Sequence, residues 1–234
     1  MRILLALCLL IQAPPPQTEA EKLEAFLKKF GDRKYGMYVS GRKAGKLTLK
    51  SKIETEDGKS LVVFEDIRTE TSAGGTVKTT FTEKATPNGL RLFSSRRVTD
   101  SGGRKTVDLI TVTGTKAAVR FDDEKRQELD IPEKTVGEEA VLRLVCAADQ
   151  KKGEVFTVDV LSQATGELQS RDLKCDGDWD VEIAGKKQPA LRWSERGREG
   201  QPGAQVKNTY WVSPAGHLLK FIGLGGVEYV LEAK

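Results

Sequence analysis

Histidine is almost missing from this chain. Its 234 residues hold one, His217, beside three cysteines and two methionines. A Ser–His–Asp triad would have to use His217, and no G-x-S-x-G elbow presents a serine to it. A histidine-based zinc site needs more ligands than one such residue supplies. His217 follows Pro214-Ala215-Gly216 and reads as a turn residue. Long apolar runs are missing too. The run Ile3–Ile11 falls well short of the roughly 20 residues that a membrane-crossing helix needs. Nor does one sign of charge dominate. The 38 basic and 34 acidic residues are interleaved and leave a formal charge of +4. That balance suits solubility and lacks the clustered basic face of a nucleic-acid binder.

What is present begins at the N-terminus. Arg2, a short apolar run and Ala13, followed by three prolines, read as a secretory signal peptide over residues 1–13. Residues 14–33 read as a linker and a short amphipathic helix. Thr18 and Glu21 fit a capping box, Leu23, Phe26, Leu27 and Phe30 recur at helical spacing, and Gly31 stops the helix. Residues 34–234 read as a single antiparallel β domain. Export implies a periplasmic or cell-envelope location. It would leave Cys146 and Cys175 as the remaining cysteines. They are either a disulfide, worth roughly 3–4 kcal/mol for a loop of that length, or two buried thiols.

The segment Gly36 to Lys43 comes close to G-x-x-x-x-G-K-[ST]. Its lysine stands one place late, behind Arg42, and Ala44 replaces the magnesium-binding hydroxyl. The next residues are not helical in pattern either. Lys46-Leu47-Thr48-Leu49-Lys50-Ser51-Lys52-Ile53 alternates strictly, as a strand with one wet face does. Gly41 therefore marks a hairpin turn. The same punctuation recurs at Asp57-Gly58, Asn88-Gly89, Ser101-Gly102-Gly103 and Thr113-Gly114. Asp-Ile-Pro at 130–132 breaks the rhythm, and Glu138 to Ala148 reads as a helix with Val141, Leu142, Val145 and Cys146 on one side. Strands then resume to the end. About a dozen strands with one or two covering helices predict a mainly β fold: a curved antiparallel sheet or open half-barrel.

Individual sites are weaker. Asp176, Asp178, Asp180 and Glu182 share a face if extended, but a calcium loop needs Gly and Glu where Val181 and Lys187 stand. Arg96-Arg97 and Arg196-Gly197-Arg198 read as wet hairpin ends. Trp179, Trp193 and Trp211 fall on strands, either as core anchors or as stacking aromatics on a ligand face. No catalytic, cofactor or metal residues are assigned.

Two stretches carry a resemblance. One is Tyr38-Val39-Ser40-Gly41-Arg42-Lys43-Ala44-Gly45. The other is Tyr210-Trp211-Val212-Ser213-Pro214-Ala215-Gly216-His217-Leu218-Leu219-Lys220. Between them lie Pro132, the short helix and Lys151-Lys152-Gly153-Glu154. In this order they resemble exported bacterial proteins of unknown function whose architecture is like the lipoprotein-carrier (LolA-like) β-clams. The resemblance spans residues 35–233 and implies an extracytoplasmic, non-enzymatic protein. The expectation is a carrier or binding module for a hydrophobic ligand or lipidated partner. A structural envelope module with a filled core is the alternative, and a hydrolase the third.

Overall fold

The structure, a computed structural model, describes residues 30–122, 126–148, 151–205 and 207–232. The expected signal peptide and most of the linker and amphipathic helix lie outside these residues. Phe30, at the edge of that region, is helical and buried in the main core.

Strands β1 (Arg33–Val39), β2 (Arg42–Glu56), β3 (Lys59–Ser72), β4 (Gly75–Ala85), β5 (Leu92–Ser101), β6 (Arg104–Thr113), β7 (Lys116–Phe121) and β8 (Arg126–Asp130) form a meander. Each is antiparallel to the one before. The turn after β1 shows why glycine stands at 41: Ser40 and Gly41 both take positive φ, 49° and 75°. A two-residue hairpin of that kind suits the twist of its strands, and glycine adopts it without strain. No phosphate loop is formed there. β2 carries its alternation into space, with Leu47 and Leu49 buried and the flanking Lys46 and Lys50 turned outward.

The second half enters at the other end of the sheet. β9 (Val136–Gly137) leads into helix α1 (Glu138–Ala147). Then come β10 (Val155–Leu161), β11 (Leu168–Ile183), β12 (Lys186–Gly197), β13 (Lys207–Val212), β14 (Leu218–Ile222) and β15 (Glu228–Leu231). The order is β8-β7-β6-β5-β4-β3-β2-β1-β15-β14-β13-β12-β11-β10-β9, one sheet of 15 strands among the described residues. All pairs are antiparallel except β9 with β10, which α1 connects in parallel.

So long a sheet must curl. Here the curl brings its two arms together. Val136 of β9 bridges to Arg91, just before β5, and the Leu92 N–H donates to the Thr135 carbonyl at 2.9 Å. Pro132 sets up this return: its carbonyl accepts both the N–H and the hydroxyl of Thr135. Past the bridge, β5 to β8 overlap the other arm. Leu92, Ile110, Ala117, Val119 and Ile131 pack there with Leu161.

The main core lies on the concave face, where α1 buries Ala140, Val141, Val145 and Cys146 against the strands. A smaller cluster occupies the opposite face. A bulge between Cys175 and Gly177 turns the β11–β12 hairpin, so that β11 reaches β14 across two intervening strands. Val181 and Ile183 then cover Trp211 and Leu219.

The tryptophans separate accordingly. Trp193 faces Cys175 and Tyr210 across its neighbouring strands, is fully buried, and meets Phe156 edge-on at 5.7 Å. Trp211, one residue after Tyr210, points to the opposite face. Trp179 is half exposed under the Arg192 guanidinium. Cys146 and Cys175 are both buried in the main core as thiols, with no disulfide between them. In this structure both side chains serve as core packing, the second of the two readings of the pair. Burial raises the Cys175 pKa, against the thiolate that disulfide exchange requires.

Replacing Trp193 with Ala is expected to lower unfolding free energy by roughly 3–5 kcal/mol. Trp179→Ala should cost no more than about 1 kcal/mol. Urea midpoints followed by circular dichroism distinguish the two. Equal losses would refute the placement of Trp193 in the core.

Candidate functional site

One end of the concave face is not apolar. Period two puts Phe64, Asp66, Arg68 and Glu70 of β3 on the inner side, with Phe81, Glu83 and Ala85 of β4 beside them. Across the curl, β11 contributes Gln169 and Arg171, β12 Glu195, and β13 Asn208 and Tyr210. Into this lining α1 inserts its first turns, with Glu138, Glu139, Leu142 and Arg143.

Two networks organise these charges. In the first, Arg143, almost fully buried, donates to both carboxylate oxygens of Asp66 at 2.8 and 2.5 Å and to the Glu139 carbonyl at 3.1 Å. Its guanidinium also lies 4.6 Å from the Phe64 ring centre. Glu83 accepts the N–H groups of Glu139 and Ala140 at 3.0 and 3.1 Å. A carboxylate from another strand thus caps a helix whose own N-cap, Gly137, has no side chain to do so. Glycine is needed at 137: a Cβ there would fall 2.1 Å from a Glu83 oxygen.

Electrostatics follow from burial. Desolvation pushes the Glu83 carboxyl up to about 8, although the helix N–H groups and Arg143 pull the other way. Burial and the neighbouring Asp66 also raise Glu139 well above the carboxylate range. Burial opposes the charge on Arg143, but Asp66, Glu139 and Glu83 together outweigh it, so the guanidinium stays charged.

The second network centres on Arg171. It donates to Glu195 at 2.8 Å, to Glu138 at 3.1 Å and to Gln169 at 2.7 Å. Glu195 also accepts from the Tyr210 hydroxyl and from Asn208. Burial first, then Glu195, raises the Tyr210 pKa. Ser162 donates to Glu138, while Gln163 links Ser95 to the Asp108 carbonyl. Arg97 pairs with Asp108 at 2.6 Å. The sequence places Arg97 at a wet hairpin end. In the fold it lies mid-strand on β5 and faces inward, because the hairpin turn falls at Ser101-Gly102-Gly103 instead.

Between the networks lies a cavity of about 360 Å³. Asp66, Arg68, Glu138, Glu139 and Arg171 are among its polar lining. Leu142, Phe221, Leu224, Val227 and Tyr229 are among its apolar lining. Phe221 and Tyr229 stack at 4.2 Å, nearly parallel, and Tyr210 stacks on the other side of Phe221 at 6.2 Å. Trp179, Trp193 and Trp211, read from the sequence as either core anchors or ligand-face aromatics, do not line this cavity. Strand parity sends Trp211 to the far face, and the bulge carries Trp179 out to the hairpin. The lining aromatics are Phe81, Tyr210, Phe221 and Tyr229. A second, outer hollow lies between β1, β2 and the tip of the β11–β12 hairpin, where Ile183, Leu219 and His217 line it.

No family model matches the sequence, and no curated protein matches it. Solved structures do. A β-barrel-like protein of domain of unknown function DUF1849 from Brucella abortus superposes with a TM-score of 0.53 at 10% identity. The match covers 86% of this chain and 94% of that one. The fold is β-barrel-like. A DUF1089 family protein from Pseudomonas aeruginosa (TM-score 0.42, 10% identity, 75% of this chain and 90% of that one) matches more loosely. So does the hypothetical lipoprotein YmcC from Escherichia coli (TM-score 0.33, 15% identity, 94% and 98%). Shared fold at such identities carries no site residues across. The β-barrel-like match agrees with the expected curved sheet.

The polar end generates two predictions. Glu83 binds its proton more tightly in the folded chain than at the ordinary value of 4.5. It therefore contributes stability below that value and loses it as pH rises through about 8. Glu139 acts in the same direction, while Asp66 and Arg143 face both groups. The melting temperature should fall between pH 5 and 8, and Glu83→Gln should flatten that fall; an unchanged slope in the variant contradicts the assignment. Gly137→Ala should displace the Glu83 carboxylate and cost roughly 1–3 kcal/mol by chemical denaturation, through helix N–H groups left without an acceptor.

Proposed function

We propose that this protein is an exported, non-enzymatic binding module of the cell envelope that takes an amphipathic ligand into the polar end of its curled sheet. The cavity between Arg171 and the Phe221–Tyr229 stack carries this reading. Its volume, about 360 Å³, falls at the small end of ligand pockets, which span roughly 300–1,000 Å³. Its walls carry both fixed charges and aromatic and aliphatic surface. Asp66, Glu138 and Arg171 are held in place by partners, so this part of the site presents an ordered polar surface with little reorganisation on binding.

The expectation of a hydrophobic ligand or lipidated partner is narrowed by α1. The helix occupies the apolar part of the concave face, where an acyl chain would otherwise lie. An apolar tail therefore has its surface at the mouth, along Leu224 and Val227, and a polar head reaches inward. Export rests on Arg2 and the run Ile3–Ile11, outside the described residues. Among the described residues no helix is long and apolar enough to cross a membrane, which leaves strands aside.

A second reading has an observation in its favour. The packing of Val141, Val145 and Trp193 fills most of the concave face, as a structural or protein-interaction module would require. Native mass spectrometry of protein purified from its own cells separates the two. A bound small amphiphile is expected, together with uptake of the apolar probe N-phenyl-1-naphthylamine that Leu142→Trp, by filling the cavity, reduces at least several-fold. Absence of both a co-purified molecule and probe uptake would favour the filled-core module.

A further inference from the structure

Four arginines face the interior of the polar end, and one is not like the rest. Arg143, Arg171 and Arg97 are each held by a carboxylate at 2.8 Å or less. Arg68 instead meets Glu70, two residues along its own strand, at 3.7 Å. That is beyond hydrogen-bond length. The Arg68 Nε is buried and has no hydrogen-bond partner among the described residues. The side chain as a whole is 37% exposed, so the rest of the guanidinium meets solvent, but a buried N–H without an acceptor is an unmet donor that native structures rarely leave.

The surroundings fix how it could be met. The Arg68 guanidinium lies 5.3 Å from the centre of the Tyr229 ring, which stacks in turn on Phe221. A guanidinium stacked by its face still offers donors along its edge, in a fork that matches a carboxylate or phosphate. The nearby acids are otherwise engaged. Asp66 is held by Arg143, and Glu138 by Arg171 and Ser162. Glu139 faces Arg143 at 3.6 Å. On the same side the lip of the cavity is apolar: Leu224 is 61% exposed, with Val227 beside it.

We infer that Arg68 is the receptor for an anionic head group, a carboxylate or phosphate, on a ligand whose apolar tail runs out over Leu224 and Val227. This rests on reading the cavity as a ligand site and adds the class of ligand. The tail contacts the aromatic stack and lip, the head accepts from the free edge of Arg68, and Glu70 at the rim weakly opposes it.

Calorimetric titration with decanoate, decanamide and inorganic phosphate tests this. Wild-type protein should bind decanoate at least ten-fold more tightly than decanamide. Arg68→Gln should erase that preference, bringing decanoate to the affinity of decanamide, while Arg68→Lys keeps part of it. Glu70→Gln should tighten decanoate a few-fold. Melting temperatures within a few degrees of wild type show that each variant folds, and the Arg68→Lys comparison stands if Arg68→Gln does not fold. If wild type binds the acid and the amide equally, or Arg68→Gln retains the preference, Arg68 is not the head-group receptor, although the cavity remains a ligand site. If neither decanoate nor decanamide binds, both readings fall. Inorganic phosphate binding as tightly as decanoate would show an anion site without a tail and overturn the amphiphile assignment.

Discussion

Arg143 projects from α1 into a sheet lined at that end by carboxylates, and its two bonds to Asp66 decide how the helix lies. Apolar packing alone tolerates small shifts of a helix against a sheet, since methyl groups re-form their contacts. A bidentate guanidinium–carboxylate pair does not tolerate them. Glu83 adds a second fixed point by holding the amides of Glu139 and Ala140. Together they fix both the rotation of α1 and its distance along the sheet. Burying such ions is expensive, and a buried pair is weak evidence of net stabilisation. Here its value is positional: the cavity wall formed by Glu138, Glu139 and Leu142 stands where these bonds place it.

The helix in turn explains the closure of the sheet. β8 and β9 lie at opposite ends of the strand order, yet the chain passes from one to the other in five residues, 131–135. That is possible only because the sheet curls until its arms meet at Arg91 and Val136. Gly137 then enters α1 directly beneath Glu83 of β4, on the facing arm. The capping bond therefore spans the curl. One carboxylate both satisfies the helix terminus and ties the late strands to the early ones.

Much of this is legible in the sequence. Alternation over Lys46–Ile53 and glycine pairs at the turns give β2 and the hairpins, because a strand with one buried face leaves a period-two trace. The helix from Glu138 is marked by Val141, Leu142, Val145 and Cys146. The charged interior leaves a fainter signal: Glu83 falls in register between Phe81 and Ala85, and Asp66 follows Val62 and Phe64 at the same parity. A charged residue on an apolar face is that signal, and it identifies burial without identifying the partner. Arg143 stands four residues after Glu139, a spacing that also suits a solvated helix pair. Other features leave no local trace. β9 is two residues long and pairs in parallel only because the sheet curls. The bulge at Cys175–Gly177 shifts the parity of Trp179, and no periodicity count reveals an extra residue in a strand.

The location of the cavity comes from the same division of the interior. Around the body of α1, side chains such as Val141, Val145, Phe64 and Trp193 have no directional demands, so they close on one another to interior density. At the N-terminal end, Asp66, Glu138, Arg171 and Glu195 need bonds of particular length and direction. Satisfying them holds the walls apart instead of letting them collapse. A charged lining of this kind is thus a means of keeping space open inside a small barrel. The space it keeps open borders the Phe221–Tyr229 stack, which offers apolar surface without blocking the entrance. Both the site and its amphipathic character therefore come from where the chain places charge on the inward parity of its strands.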